Sequence, residues 1–351
     1  MFYIGGVVRD ELLGRESFDI DITYVGNAIE YCAQFGEVIR VNPDFGTIRV
    51  NVAGREVDFA STRAEVYEKK GHLPQVTKIG CTLKEDVLRR DFTVNALAKS
   101  VTTGEIIDYT GGLEDLKHKT LRVLHDGSFI DDPTRIIRGL KFAVRFGFEL
   151  DEHTKKLQED YLASINYDMC YKRVKKELIE TFNLNSQEAF DRFINQGIYK
   201  LVTENDITLP SVNIENLIKT YPVKNVWLVY AGVLQDLSRL ELTRQERKIL
   251  DDFVLLQNTP MNSDFEVYKA FQNVETETVL LYAILRDEKI ARRYLDNLRN
   301  IKIQTTGDDL LNLGLKPSPK YKEILDKILA AKLQTPEMSK KDELELVRTL
   351  L

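Results

Sequence analysis

A change of hydrophobic period near residue 124 constrains this chain more than any other feature. Before it, short β-type runs mix with helical ones; after it, nearly every periodic stretch has helical spacing. An α+β N-terminal domain followed by an all-helical remainder is therefore predicted. The strand candidates are Asp19 to Tyr24, Gly36 to Val41, Gly46 to Val52 and Arg55 to Ala60, with turns at Asn42-Pro43-Asp44 and Ala53-Gly54. Between Ser61 and Leu83, the polar stretch Thr62 to Pro74 carries both Gly71 and Pro74 and reads as a mobile loop. A helix is expected from Asp132-Pro133, where Asp can cap and Pro suits the first turn, through Phe146, with Gly147 ending it. Lys316-Pro317-Ser318-Pro319 sets off a final helical pair.

The 351 residues, 43% hydrophobic and 30% charged, are those of an ordinary globular chain with room for two or three domains, which excludes wholesale disorder and fibrous repeats. An acidic residue as early as Asp10 argues against a secretory signal, and no apolar stretch approaches the length of a membrane span. Cys32, Cys81 and Cys170 are odd in number and widely spaced, against a disulfide framework, so a reducing, cytoplasmic setting is expected. The net charge of −6 means that any RNA partner must be held by local clusters. Lys172, Arg173, Lys175 and Lys176 form one cluster, and Arg286, Lys289, Arg292, Arg293, Arg299 and Lys302 another. A solvated helix face explains each cluster alone equally well.

Asp19-x-Asp21 says little alone, because a chain with 55 acidic residues in 351 contains about nine such triplets by chance. On a strand the two carboxylates share a face and could bridge hard cations, while Ile20 and Ile22 anchor the other face. An exposed pair on an edge strand fits the same pattern. Upstream, Gly5-Gly6-Val7-Val8-Arg9-Asp10 reads as a glycine turn opening a short helix, a geometry that cradles phosphate as well as simply turning the chain. Downstream, Arg89-Arg90 precede the apolar run Phe92 to Ala98, read as helical. These arginines could grip phosphate in a bidentate manner, or form surface ion pairs with Glu85 or Asp86.

Gly5-Gly6-x-x-Arg9-Asp10, Asp19-x-Asp21, Arg89-Arg90-Asp91-Phe92, Gly111-Gly112-Leu113-Glu114-Asp115-Leu116 and Asp131-Asp132-Pro133-Thr134-Arg135-Ile136-Ile137-Arg138 occur in this order. Together they resemble the class II CCA-adding tRNA nucleotidyltransferases and their poly(A) polymerase relatives. The resemblance is dense over about the first 150 residues, and Gly307 to Pro317 resembles a segment near the end of these enzymes. It implies a polymerase-beta-like nucleotidyltransferase head over 1–124, then an elongated all-helical array: a neck over 125–200 that recognises the base, a body over 201–285 and a tRNA-binding tail over 286–351.

The implied activity is template-independent addition of C, C and A to the 3′ end of tRNA from CTP and ATP. Asp19 and Asp21 would hold Mg²⁺, and Gly5, Gly6, Arg9 and Arg90 would hold the nucleotide. Cytosine and adenine share an amino group beside a ring-nitrogen acceptor, so Asp132 accepting and Arg135 donating would admit both and reject uracil and guanine. Arg138 matches a further nucleotide-contacting arginine. Lys141 stands where another arginine is common, and Asp131 where Glu is usual. Asp58 is a candidate third carboxylate for activating the 3′-hydroxyl, or an outward Asp on an alternating strand. Arg63, Glu65, Tyr67 and Gly71 lie in what resembles the flexible loop that switches such enzymes from C to A, which favours complete CCA addition. CC-only or A-only addition, a poly(A) polymerase and an inactive RNA-binding module are the alternatives. His72, His118, His125 and His153 lack the spacing of a metal-hydrolase ligand set. Trp227 and Tyr221, Tyr230, Tyr268 and Tyr282 fall in apolar helical runs and read as core.

Overall fold

In β4 (Thr47–Val52) and β5 (Arg55–Ser61), Ile48, Val50, Val57 and Phe59 turn inward while Arg49, Asn51, Glu56 and Asp58 turn the other way. The computed structural model describes residues 1–17 and 20–350, so Asp19 lies outside the described residues. Ala53 (φ 52°) and Gly54 (φ 85°) join the two strands through left-handed backbone at both turn positions, which matches strand twist. The Gly54 N–H donates to Asn51 Oδ1 at 2.9 Å. Strand β3 (Glu37–Asn42) pairs with β4, and β5 runs parallel to β2 (Ile20–Tyr24). With β1 (Phe2–Ile4), β8 (Ala98–Ser100) and β9 (Ile106–Ile107), the sheet has the order β3-β4-β5-β2-β1-β8-β9.

Helix α1 (Gly6–Leu12) follows β1 directly. Helix α2 (Ala28–Cys32) buries Ala28 and Cys32 against Ile22, Ile48, Val50, Val57 and Phe59. That face of β4, β5 and β2 is core, whereas the edge strand β3 is exposed. The opposite face of the half-sheet β3-β4-β5-β2 is polar, as antiparallel pairing allows.

Two predicted elements differ. The stretch expected to be a mobile loop contains a hairpin, β6 (Arg63–Val66) pairing with β7 (Gln75–Ile79). Both of its faces are partly polar, so no alternation marks it. The run Phe92 to Ala98 is not a helix: Thr93–Asn95 is a single tight turn, and β8 begins at Ala98. Asp91 Oδ1 accepts from Phe92 N at 2.8 Å and Asn95 Nδ2 at 3.0 Å, a local ring that competes with helix continuation.

After α3 (Leu83–Leu88), α4 (Gly112–Lys117) and α5 (Ser128–Asp131), α6 runs Thr134–Phe146. Ile136, Ile137, Leu140 and Ala143 are buried, and Gly147 at φ 69° ends the helix as predicted. Helices α7 (Glu152–Ala163), α8 (Tyr171–Phe182) and α9 (Gln187–Asn195) complete this unit, which comprises residues 1–207 with 238–241. The region past 124 is not wholly helical, since β11 (Glu149–Leu150) pairs parallel with β10 (Thr120–Leu121).

The second unit, residues 208–237 with 242–351, is helical. It contains α10 (Ile214–Thr220), α11 (Val226–Gly232), α12 (Arg244–Leu256), α13 (Asp264–Phe271), α14 (Thr276–Leu285), α15 (Glu288–Asp296), α16 (Gly307–Asn312), α17 (Lys320–Gln334) and α18 (Lys340–Leu350). Helix α14 is buried from Glu277 to Ile284, and its run of apolar residues explains its central place. Trp227, Tyr221, Tyr230 and Tyr282 are buried, in keeping with the core reading, whereas Tyr268 is only half-buried. Glu343, fully buried, takes Lys332 Nζ and the N–H groups of Gln304 and Thr305. No helix among the described residues is long and apolar enough to cross a membrane.

Candidate active site

Gly5 adopts φ 72° and ψ −125°, a backbone that side chains oppose. A Cβ there would stand 3.0 Å from Arg90 Nη1, so the glycine also makes room for that guanidinium. Gly6 opens α1, and one turn on Arg9 is buried: Nε and Nη2 donate to Asp10 Oδ1 at 2.9 and 2.7 Å, and Nη1 donates to Asn95 Oδ1. Its guanidinium sits 4.3 Å over the Phe146 ring. Burial lowers the Arg9 pKa, against the charge of Asp10. Gly5, Gly6, Arg9, Arg90 and Asp21 line one cavity of about 470 Å³.

The two arginines of the Arg89-Arg90 pair are not surface ion pairs. Asp86 is fully buried on α3 and accepts from Arg89 Nη2 at 2.8 Å and Arg90 Nη2 at 3.4 Å. Burial alone would raise the Asp86 pKa, but the charges of Arg90 and Arg89 hold it below the usual value. Arg90 Nε is buried without a partner among the described residues. Burial lowers the Arg90 pKa, with Asp86 opposing. A donor in this state suits an anionic ligand.

Asp91 and Arg138 form the wall this cavity shares with a second one of about 260 Å³. Asp91 Oδ2 accepts from Arg138 Nε at 2.9 Å and Nη2 at 2.7 Å. Burial would raise the Asp91 carboxyl, yet Arg138 and Asn95 hold it well below the carboxylate range. Arg138 reaches Glu177 at 3.3 Å, and Lys141 Nζ bridges Glu177 at 2.8 Å and Glu180 at 2.5 Å. Lysine at 141 thus serves as a point charge shared between two acids of α8.

Asp132, Arg135 and Arg173 line the second cavity. Asp132 Oδ1 accepts from Thr134 N at 3.2 Å and Thr134 Oγ1 at 2.6 Å, and Oδ2 accepts from Arg173 Nη2. The carboxylate therefore fastens the start of α6 with one oxygen and turns the other toward Arg173. The cap position itself is Pro133, so Asp132 holds the helix start from one residue outside it while also lining the cavity. Arg135 donates to Ser128 Oγ at 2.7 Å, to the Arg89 carbonyl at 3.0 Å and to Tyr67 Oη at 3.4 Å.

The hairpin carries Arg63, Glu65 and Tyr67 along this cavity. Arg63 Nε and Arg89 Nη1 donate to Glu65 at 2.6 and 3.2 Å. At the tip, Gly71 has φ 78°, and a Cβ would stand 2.9 Å from Met169 Cβ and 3.1 Å from the Asp168 carbonyl. Its N–H donates to the Asp131 carbonyl and its carbonyl accepts from Cys170 N, both at 3.0 Å. Lys70 pairs with the Asp131 carboxylate.

Asp58 pairs in register with Asp21 across β5 and β2. It is bound by Arg49, whose Nε and Nη2 donate to its two oxygens at 2.7 and 2.6 Å. Among the described residues no three His, Cys, Asp or Glu side chains group as a metal site.

Residues 1–122 match the model of the poly A polymerase head domain. Over 99% of its length the chain is 31% identical to an A-adding tRNA nucleotidyltransferase of Geobacter sulfurreducens, and over 90% it is 33% identical to that of Aquifex aeolicus. It spans less than half of these relatives, 44% and 43% respectively. The structure of a Thermotoga maritima CCA-adding enzyme complexed with tRNA superposes over 99% of this chain and 90% of that one, with TM-score 0.76 and 28% identity. The N-terminal residues thus carry a poly A polymerase head domain, and the relatives and structural neighbours of the chain are tRNA nucleotidyltransferases. Its fold is that of the CCA-adding enzymes, a mixed-sheet head followed by helices.

Nucleotidyltransferases of this family depend in general on a divalent cation. The oxygen donors here suit one: Asp21 offers a hard carboxylate at the edge of a cavity walled by arginines, and bound phosphate would supply further oxygens. Arg173 stands outside the family motifs, and its basic neighbours mark it only as part of a general RNA-binding face. Arg49 carries no signal in the sequence, since only strand register brings it to Asp58.

Proposed function

We propose that this protein is a tRNA nucleotidyltransferase that adds C, C and A to the 3′ end of tRNA from CTP and ATP, using Mg²⁺. The observation that carries this is the meeting of two cavities at the Arg90–Asp91–Arg138 wall. One holds Asp21 and arginine donors suited to a triphosphate; the other holds the acceptor and donor pair Asp132 and Arg135.

In this reading Asp21, with Asp19 two residues before it, holds the cation, which when bound supplies charge stabilisation at the transferring phosphoryl group. Gly5, Gly6, Arg9 and Arg90 hold the triphosphate, and Arg138 and Lys141 border it. The tRNA 3′-oxygen forms its bond to the α-phosphorus as the bond to pyrophosphate breaks, and Asp58 accepts the proton. Asp132 and Arg135 read the amino and ring-nitrogen edge common to cytosine and adenine. The hairpin with Arg63, Glu65, Tyr67 and Gly71 sets the pocket for C or for A. The tail, with Arg286, Arg293 and Lys302, holds the tRNA backbone. All three cysteines are unpaired, which supports a reducing, cytoplasmic setting.

A second reading, addition of the terminal A alone, is favoured by the names of the two relatives above. The test supplies tRNA lacking CCA, or ending in CC, with CTP, ATP or both, and sizes the products. Growth by three nucleotides only when both are present is expected. Extension of the CC-ended tRNA alone, by one A, supports the second reading; a long A tail on generic RNA, or no extension, overturns both.

A further inference from the structure

Side chains at matched register positions form a row across the polar face of the half-sheet. Arg40 on β3 pairs with Arg49 on β4, Arg49 with Asp58 on β5, and Asp58 with Asp21 on β2. Neighbouring strands stand about 4.8 Å apart, so the row is a line of two cations and two carboxylates ending at the cavity that Asp21 lines. That cavity lies toward β1 and its glycine turn. The rest of the row runs the other way, across β5 and β4, whose opposite face is filled by α2, and out to the edge strand β3.

The row is accessible. The Arg49 and Asp58 side chains are 42% and 38% exposed, and Arg40 is exposed with no ion pair among the described residues. Asp58 orients the Arg49 guanidinium through Nε and Nη2, leaving Nη1 with only Glu56 at 3.2 Å. The Glu56 side chain is itself 61% exposed, so this contact is weak and easily exchanged. A fixed, half-exposed arginine with one loosely held edge is suited to a phosphate.

We infer that this row is the platform for the acceptor strand, with Arg49, and Arg40 beyond it, binding the last phosphodiesters of the RNA whose 3′-hydroxyl lies at Asp58 and Asp21. The inference rests on the proposed nucleotidyl transfer and adds the direction of approach. The nucleotide occupies the β1 side of Asp21 and the RNA 3′ end the β5 side, so that attack and departure occur on opposite sides of the α-phosphorus. A nucleotide presents just this pairing of needs: an acceptor for its 3′-hydroxyl and, one sugar away, a cation for its 5′-phosphate.

The test is a binding cycle on the full chain with a tRNA whose terminal or penultimate phosphodiester is replaced, one at a time, by an uncharged methylphosphonate. One of the two replacements is expected to weaken binding by wild type about tenfold, and binding by Arg49→Gln less than about twofold. Arg49→Gln should also lower the slope of log affinity against log salt by about 0.7 for a single-stranded contact. Arg40→Gln, at an exposed position that tolerates change, repeats the cycle should Arg49→Gln fold poorly. Equal losses in wild type and both variants, or no loss in wild type, overturn the inference. The readout is equilibrium binding, so it stands apart from catalysis: a wild type that extends tRNA yet shows equal losses overturns the platform alone, whereas a wild type that extends no tRNA overturns the proposed activity.

Discussion

Asp132→Asn tests base selection most sharply, because it changes one atom. Oδ1 is held by the N–H and hydroxyl of Thr134 at 3.2 and 2.6 Å, so the amide oxygen takes that place and the new NH₂ replaces Oδ2. An acceptor facing Arg173 and the cavity becomes a donor. For a base offering an amino group, one half of a bidentate pair turns repulsive; for uracil or guanine, a carbonyl now finds a donor. A bidentate edge contact discriminates by about 1–3 kcal/mol, so the ratio of kcat/KM for CTP over UTP should fall roughly 5- to 150-fold. The lost charge-assisted bond to Arg173, whose side chain is 26% exposed, costs about 1–2 kcal/mol after allowance for solvent screening. That corresponds to a drop of about 2–8 °C in Tm for a unit of this size. The assay measures single additions to tRNA lacking CCA with each nucleotide, alongside thermal unfolding. A lowered Tm with a CTP to UTP ratio within twofold of wild type would refute base reading and leave Asp132 a helix-start residue.

Asp21→Asn should lower nucleotide addition on the order of a thousandfold while tRNA affinity stays within about twofold; a fully active variant removes the cation assignment. Gly71→Val places a β-branched residue at φ 78° and a Cβ within 2.9 Å of Met169, so the tip should undock at a cost of about 2–3 kcal/mol and be cut faster by protease between 67 and 74. Unchanged cleavage would contradict the docked tip. Glu343→Gln leaves the Lys332 ammonium, 6% exposed, without its counter-charge and should destabilise the second unit by about 3–5 kcal/mol in urea unfolding; an unchanged midpoint counts against the pair as a lock. Asp91 is held below its unfolded value, near 3.9, so its stabilisation is full above that pH and is lost as pH falls through the lower folded value. The stability gap between wild type and Asp91→Asn should therefore shrink from pH 5 to pH 2, and parallel curves would show that Asp91 does not carry it.

What the sequence made legible is what short-range chemistry determines. The β4–β5 hairpin was readable because its apolar alternation and the Ala53-Gly54 turn agree, and α6 because Asp132, Pro133 and Gly147 bracket a helical period. The β6–β7 hairpin was not, since Arg63-Ala64-Glu65-Val66 keeps its order through Glu65, clasped by Arg63 and by Arg89 from beyond the hairpin. Phe92 to Ala98 looked helical because its residues are apolar, but Asn95 is committed to Asp91 and Arg9. Arg173 lies 41 residues from Asp132, and only the packing of α8 against α6 brings them together. Nine residues separate Arg49 from Asp58, yet their pairing depends on a register that a one-residue slip would reverse.

The satisfied state of the second cavity bears on how selection can work at all. The two groups on its wall that face the base already have partners: Asp132 has Thr134 and Arg173, and Arg135 has Ser128, the Arg89 carbonyl and Tyr67. In the proposed reading a cytosine or adenine amino group must compete with Arg173 for Asp132 Oδ2, exchanging one hydrogen bond for another at little net gain. Affinity for the correct base is then modest, and discrimination comes from the wrong one. Uracil or guanine brings a carbonyl to an acceptor, leaves Arg173 where it was and buries its own oxygen unpaired, the costlier side of the exchange. Arg135 strengthens this because its partners come from the hairpin, from the end of α3 and from α5, so tilting the wall to suit a misfit base would break contacts to three elements at once.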